Sequence, residues 1–204
     1  MLFRSGQPGA DGTDTFAIRR LRPIMQGTVA RWFSFLFTPD FAGGAVSIRD
    51  AYVDTALSPK LRIRVGKAKT PFSLERLQSA ATLTFVERAF PTTIAPDRDI
   101  GLQAIGDLSR FVSYQAGVFN GVIDGGSSDR DVNGGKDIAA RVVVHPFGGT
   151  RRPALNTLAI AVAGSSGEQP ADLPSFRSSV LRTFFSYRNG VQDRKSTRLN
   201  SSHV

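Results

Sequence analysis

Apolar and polar residues alternate one by one along most of the chain. In "LRIRV", Leu61, Ile63 and Val65 fall on one side and Arg62 and Arg64 on the other. "DIGLQAIGD" sets Ile100, Leu102 and Ala104 against Gly101 and Gln103, and "FVSYQAGVF" sets Val112, Tyr114, Ala116 and Val118 against Ser113, Gln115 and Gly117. "KDIAARVVVH" repeats the pattern with Ile138, Ala140, Val142 and Val144, and "TLAIAVA" does so with Leu158, Ile160 and Val162. A period of two, repeated this often, predicts an antiparallel all-β chain. The predicted strands are 16–28, 32–41, 46–57, 61–70, 98–106, 111–120, 137–146, 155–164 and 178–187. Around Arg19 and Arg20 the alternation slips, which predicts a bulge or a shifted boundary.

The joins between these strands follow their own rhythm. Those after the first, third, fifth, seventh and ninth strands are short or modest, as at Ser58-Pro59-Lys60 and Arg188-Asn189-Gly190. Those between are mostly longer, as at 71–97, 121–136 and 165–177, with 38–45 the shortest. Short turns at one end and long loops at the other predict a membrane β-barrel rather than a soluble sandwich. The strands meet the ~9–11 residues that a transmembrane strand needs. In such a barrel the apolar face meets lipid and the polar face lines the lumen, so Arg62, Arg64 and Arg141 point into water. Trp32, Phe33, Phe35, Phe37 and Phe41, with Phe184, Phe185 and Tyr187, are candidates for an interfacial girdle or for ordinary apolar packing.

Composition narrows the chemistry. The 204 residues carry a formal net charge of +9 and no Cys. That excludes disulfides, thiolate nucleophiles and thiolate metal sites, while His145 and His203 are too few for a histidine-rich metal centre. Lys occurs only at 60, 67, 69, 136 and 195, so arginine supplies most of the 26 basic residues. Arginine keeps its charge and forks onto oxyanions, which points to phosphate-like partners. "VGKAKTPFSLE" (65–75) resembles the end of a P-loop, but position 61 is Leu, Ala68 follows Lys67, and no helix pattern opens there. No nucleophile motif accompanies the acidic "DRD" at 97–99, and the chain is read as a non-enzyme that calls for no cofactor. No apolar run reaches the ~18 residues of a membrane-spanning helix, and "MLFRSGQPGADGTD" lacks the apolar stretch of a signal peptide. "DRKSTRLNSSHV" is polar and aperiodic; it is set aside as an adaptor-derived tail.

The blocks "DAYVD" (50–54), "VGKAKTPFSLE" (65–75), "ER" (87–88), "DRDIGLQAIGD" (97–107), "YQAGVFNG" (114–121), "KDIAARV" (136–142) and "TFFSY" (183–187) follow one another in an order and spacing that resembles the phosphate-selective porin O and P family. The resemblance runs from about Phe3 to Gln192. It implies a homotrimer of sixteen-stranded barrels in the bacterial outer membrane, surrounded by lipid and passing phosphate or related anions along lumen arginines and lysines. Against that pattern the chain offers about nine strands, no signal peptide and no terminal aromatic strand. The expectation is therefore a transmembrane β-barrel fragment: a disordered lead-in at 1–14, a partial barrel at 15–192, and the tail at 193–204. An open sheet leaves edges that lipid cannot satisfy, so alone it is expected not to conduct.

Candidate pore-lining residues are Arg62 and Arg64 first, then Arg19, Arg20, Arg22, Arg49, Lys67 and Lys69, with Arg88 and Arg98 if the long loop folds inward. Lys67 and Lys69 have the opposite parity from Arg64, which puts them at the mouth unless a bulge returns them to the lumen. Asp50 and Asp54 are expected to orient neighbouring arginines or to temper anion binding. "ERLQSAATLTFVER" (75–88) has helical spacing and predicts either a short pore-narrowing helix or a surface loop. The alternative is a soluble basic β-domain in which Phe33, Phe35 and Tyr114 stack on nucleic acid. Its weakness is that the basic residues alternate along strands and form no compact basic-aromatic patch, so no nucleic-acid partner is expected.

Overall fold

A computed structural model of the chain describes residues 18, 20–79, 82–85, 88–122, 126, 127, 129, 134–172, 176, 177, 183–186 and 192–203. The strands are β1 (Met25–Ala30), β2 (Phe33–Asp40), β3 (Ser47–Ser58), β4 (Leu61–Lys69), β5 (Arg98–Ser109), β6 (Val112–Phe119), β7 (Asp137–Val144), β8 (Ile160–Asp172), β9 (Phe176–Arg177), β10 (Thr183–Phe185) and β11 (Gln192–His203). Nine form one sheet in the order β1-β2-β3-β4-β5-β6-β7-β8-β11, and β9 pairs with β10 separately. Every pairing between these strands is antiparallel. The chain is thus all-β, and its large sheet is open, with β1 and β11 at the two edges. Two short helices, α1 (Leu74–Leu77) and α2 (Pro153–Asn156), lie in the joins. No described helix is long and apolar enough to cross a membrane.

Local chemistry sets the tight turns. At two of them a serine hydroxyl accepts from the backbone two residues on: Lys60 N–H to Ser58 Oγ at 3.3 Å, and Phe111 N–H to Ser109 Oγ at 3.2 Å. Tyr114 lies over Gly106 and donates its hydroxyl to the Lys60 carbonyl at 3.0 Å, tying the β3–β4 turn across β5 to β6.

Register sorts the side chains, because residues directly opposite in an antiparallel pair share a face. One unbroken row runs Phe35–Val53–Val65–Leu102–Val118–Ile138 across six strands. Each of the six side chains is between 38% and 59% exposed. The other face carries the row Asp54–Arg64–Gln103–Gly117–Ala139 and the row Arg62–Ile105–Gln115–Arg141–Ala163. There Asp54, Gln103, Ala139, Ile105 and Ala163 are buried.

Part of that cover comes from the long segment between β4 and β5. Phe72 and Ala95 pack with Ala163 of β8, three strands beyond β5, so the segment reaches across the polar face. Its base is clamped by Thr70 N–H donating to the Asp97 carbonyl and Thr70 Oγ1 donating to the Pro96 carbonyl, both at 3.1 Å. Among the described residues of that segment, α-helix is found in the four residues of α1, with 3-10 geometry at Thr82 and at Phe90–Ile94, so the described α-helix of 75–88 lies at its start.

Glycines let the polar face close up where large rings lie on it. The Phe119 ring, almost fully buried, rests on Gly101 and Gly117; a Cβ at Gly101 would strike that ring and the Val118 carbonyl oxygen. Gly101→Ala is therefore expected to cost ~1–3 kcal/mol by overpacking, read as a lower urea midpoint of the detergent-refolded chain. An unchanged midpoint would show that the ring can move aside.

Three predicted boundaries need correction. The strand expected at 16–28 begins only at Met25. Residues 21 and 22 instead bind the end of β2, through Leu21 N–H and Arg22 Nε donating to the Asp40 carboxylate, and Pro23 has no N–H to give a ladder. The strand expected at 155–164 starts at Ile160 and runs to Asp172, because Pro153 opens α2 in its place. Of the strand expected at 178–187, residues 183–186 are described, and Thr183–Phe185 of these form β10, which pairs with β9 outside the large sheet. The ninth strand of that sheet is β11, which begins at Gln192 and otherwise lies in the segment 193–204 set aside as aperiodic. Its pairing with β8 is made by backbone groups, which need no side-chain pattern. The lead-in expected at 1–14 lies outside the described residues.

Candidate anion pathway

The polar face is a series of cations, most of them already held. At its middle, Asp54 grips Arg64 with two bonds, Nε to Oδ1 at 2.7 Å and Nη2 to Oδ2 at 2.9 Å. The Arg64 guanidinium also lies 3.8 Å over the Tyr52 ring. Both partners stand opposite one another on β3 and β4, so the sheet itself sets the fork geometry. Arg62, two residues nearer the short turns, approaches the same carboxylate only to 3.6 Å and is more exposed.

Toward the long loops the charges gather on Asp97, which is 4% exposed. It receives Arg98 Nη1 at 3.0 Å, Arg49 Nη2 at 3.2 Å and Arg76 Nη1 at 3.3 Å. Arg98 also donates to Asp50 at 3.0 Å, and Arg76 to the Thr92 carbonyl. Burial pulls the Arg76 guanidinium below its ordinary pKa, the Asp97 charge opposing and the Arg98 charge adding. Arg88 is lowered too, by burial first and then by Arg76. From the ordinary arginine value, both shifts leave a cation at neutral pH.

Lys69 donates to the carbonyls of Leu77 and Gln78, each at 3.0 Å, and Arg88 donates to those of Glu75 and Gln78. Lys67 is buried in an ion pair with Asp129 beyond β6. Gly66, with φ 126°, precedes it in the left-handed region that favours glycine, yet the pairing register runs through without a shift. Both lysines therefore engage the long-loop end, and no bulge intervenes.

Arg22 is paired with Asp40, Arg20 is exposed, and Arg19 lies outside the described residues. The structure thus brings Arg49, Arg98 and the unforeseen Arg76 together, and keeps Arg62 and Arg64 a few residues away along the strands. Missing from the sequence-based candidates was Asp97, the hub, whose "DRD" looks like any loop end. Arg141, expected from its parity to face the lumen with Arg62, was not placed among the candidate anion sites. It has no ion-pair partner among the described residues.

The sheet thus has one apolar, exposed face and one face on which the cations gather. The family model for phosphate-selective porin O and P matches residues 4–169, and the chain belongs to that family, which is a family of channels and not of enzymes. No curated protein matches the chain.

Proposed function

We propose that the polar face lines a water-filled lumen in the bacterial outer membrane through which phosphate-like anions diffuse passively. The observation that carries this reading is the segregation of the two faces: a six-strand apolar row on one, suited to lipid, and the rows carrying Arg62, Arg64 and Arg141 on the other. Fixed cations raise the local concentration of anions, and several weak stations in series let each ion enter and leave. Arg62, Arg64, Arg49, Arg98, Lys67, Lys69 and Arg88 supply that charge, with Arg19, Arg20 and Arg22 toward the start of the sheet. Arg141 and Arg62, the least neutralised on the polar face, are the first to meet an anion at the short-turn end. In the conducting form both edges of the sheet are paired, since lipid satisfies no open edge. The assembly proposed is the homotrimer that the resemblance implies.

A nucleic-acid surface fits less well, because the exposed face is apolar and the arginines lie on the face that the long segment partly covers. Reversal potentials across bilayers holding the closed pore in a potassium chloride gradient test the proposal. Selectivity for chloride over potassium is expected, and the opposite sign would overturn it.

A further inference from the structure

At the short-turn end of the polar face lies a cavity of about 420 Å³, lined by Arg62, Tyr114, Gln115, Arg141 and Asp107 among others. Its floor is a single row: Arg62 on β4 stands opposite Ile105, Ile105 opposite Gln115, and Gln115 opposite Arg141 on β7. Three strand spacings of ~4.8 Å put the two arginine backbones ~14 Å apart, so side chains of this length can converge over the residues between them. Arg62 makes no hydrogen bond as short as those of Arg64, and Arg141 has no described partner. Two guanidinium forks are therefore available to one ligand. The buried Gln115 Oε1 meets no donor. A buried acceptor without a donor is rare in folded proteins, and a donor from a water or a bound ligand would complete its bonding.

Resting on the pore reading above, we infer that this cavity is a selectivity station for oxyanions that still carry a proton, with Gln115 as the residue that tells phosphate from sulfate. The two arginines donate to the anion's oxygens. Gln115 Oε1 accepts the remaining P–O–H, which phosphate keeps at neutral pH and sulfate lacks; sulfate would instead turn a bare oxygen toward an acceptor. Exposed Asp107, opposite Ser113 and two pairs nearer the turn, faces the same cavity and weakens the hold on any anion, as a station on a transport path requires.

The test measures block of chloride current by added phosphate and by added sulfate in the closed pore. The unaltered protein is expected to be blocked by phosphate at a lower concentration than by sulfate. Gln115→Leu should shrink that ratio about tenfold, the worth of one buried hydrogen bond. Arg141→Ala should weaken both anions and leave the ratio standing. Should Gln115→Leu fail to assemble, the unaltered pore still decides: methylphosphonate at mildly acidic pH keeps an O–H and must block better than sulfate. Equal block by sulfate would mean an all-donor site, with the amide turned to present Nε2, and would overturn the inference while the pore reading stood. A pore that passes potassium in preference to chloride would instead sink the pore reading itself.

Discussion

Asp97→Ala is expected to destabilise the chain by ~3–5 kcal/mol, the usual result of removing one partner from a buried charge cluster. Three guanidiniums converge on this carboxylate from β3, α1 and β5, at 3.0 to 3.3 Å. Without it Arg98 retains Asp50, while Arg49 and Arg76 lose their only carboxylate among the described residues. Urea unfolding of the detergent-refolded chain reads the loss. A second readout follows from the position of the hub at the foot of the long segment. Freed of Asp97, that segment should lift from β8 and become open to trypsin at Arg76 and Arg88. Arg76→Ala removes only one spoke and should cost less than Asp97→Ala. If Asp97→Ala leaves both the urea midpoint and the cleavage pattern unchanged, the cluster does not hold the segment in place.

Placing a charge in the apolar row is the second large change. Val65 stands in the middle of that row, more than half exposed, so an added side chain meets no protein atoms that would be overpacked. If the row faces lipid, Val65→Arg costs ~2–4 kcal/mol from burying a guanidinium near the midplane. Refolding into lipid vesicles should then fail or fall sharply. Ser113→Arg puts the same charge on the opposite face and should refold. Equal refolding of the two variants would rule out a lipid-facing row.

The strands with the cleanest alternation were the easiest to read. β4 starts at Leu61 where "LRIRV" does, and the parity of Arg62 and Arg64 matches their shared face with Asp54 and Gln103. β5, β6 and β7 lie within a few residues of the predicted ranges for the same reason. Where the pattern failed, backbone chemistry had displaced it: Pro23 and the Asp40 carboxylate before β1, and Pro153 before β8. Hydrophobic period cannot detect β11, whose side chains are nearly all polar. The charge cluster was hidden for a different reason. Arg49 and Asp97 are 48 positions apart, and only the pairing of β3, β4 and β5 brings them together. The free Gln115 acceptor could not be read either, because being unpaired is a property of surroundings that a sequence does not display.

The Asp54–Arg64 fork has a kinetic meaning beyond its stability. In the proposed lumen it forms a nearly neutral rung between the arginines gathered on Asp97 and those flanking Gln115. The energy profile along the axis then holds two shallow wells with a low step between them, rather than one deep trap. An ion in a shallow well escapes quickly, and a second ion arriving behind it hastens the exit. On the proposed reading, the carboxylate that looks like an obstacle to anions keeps dwell times short, so that throughput survives selectivity.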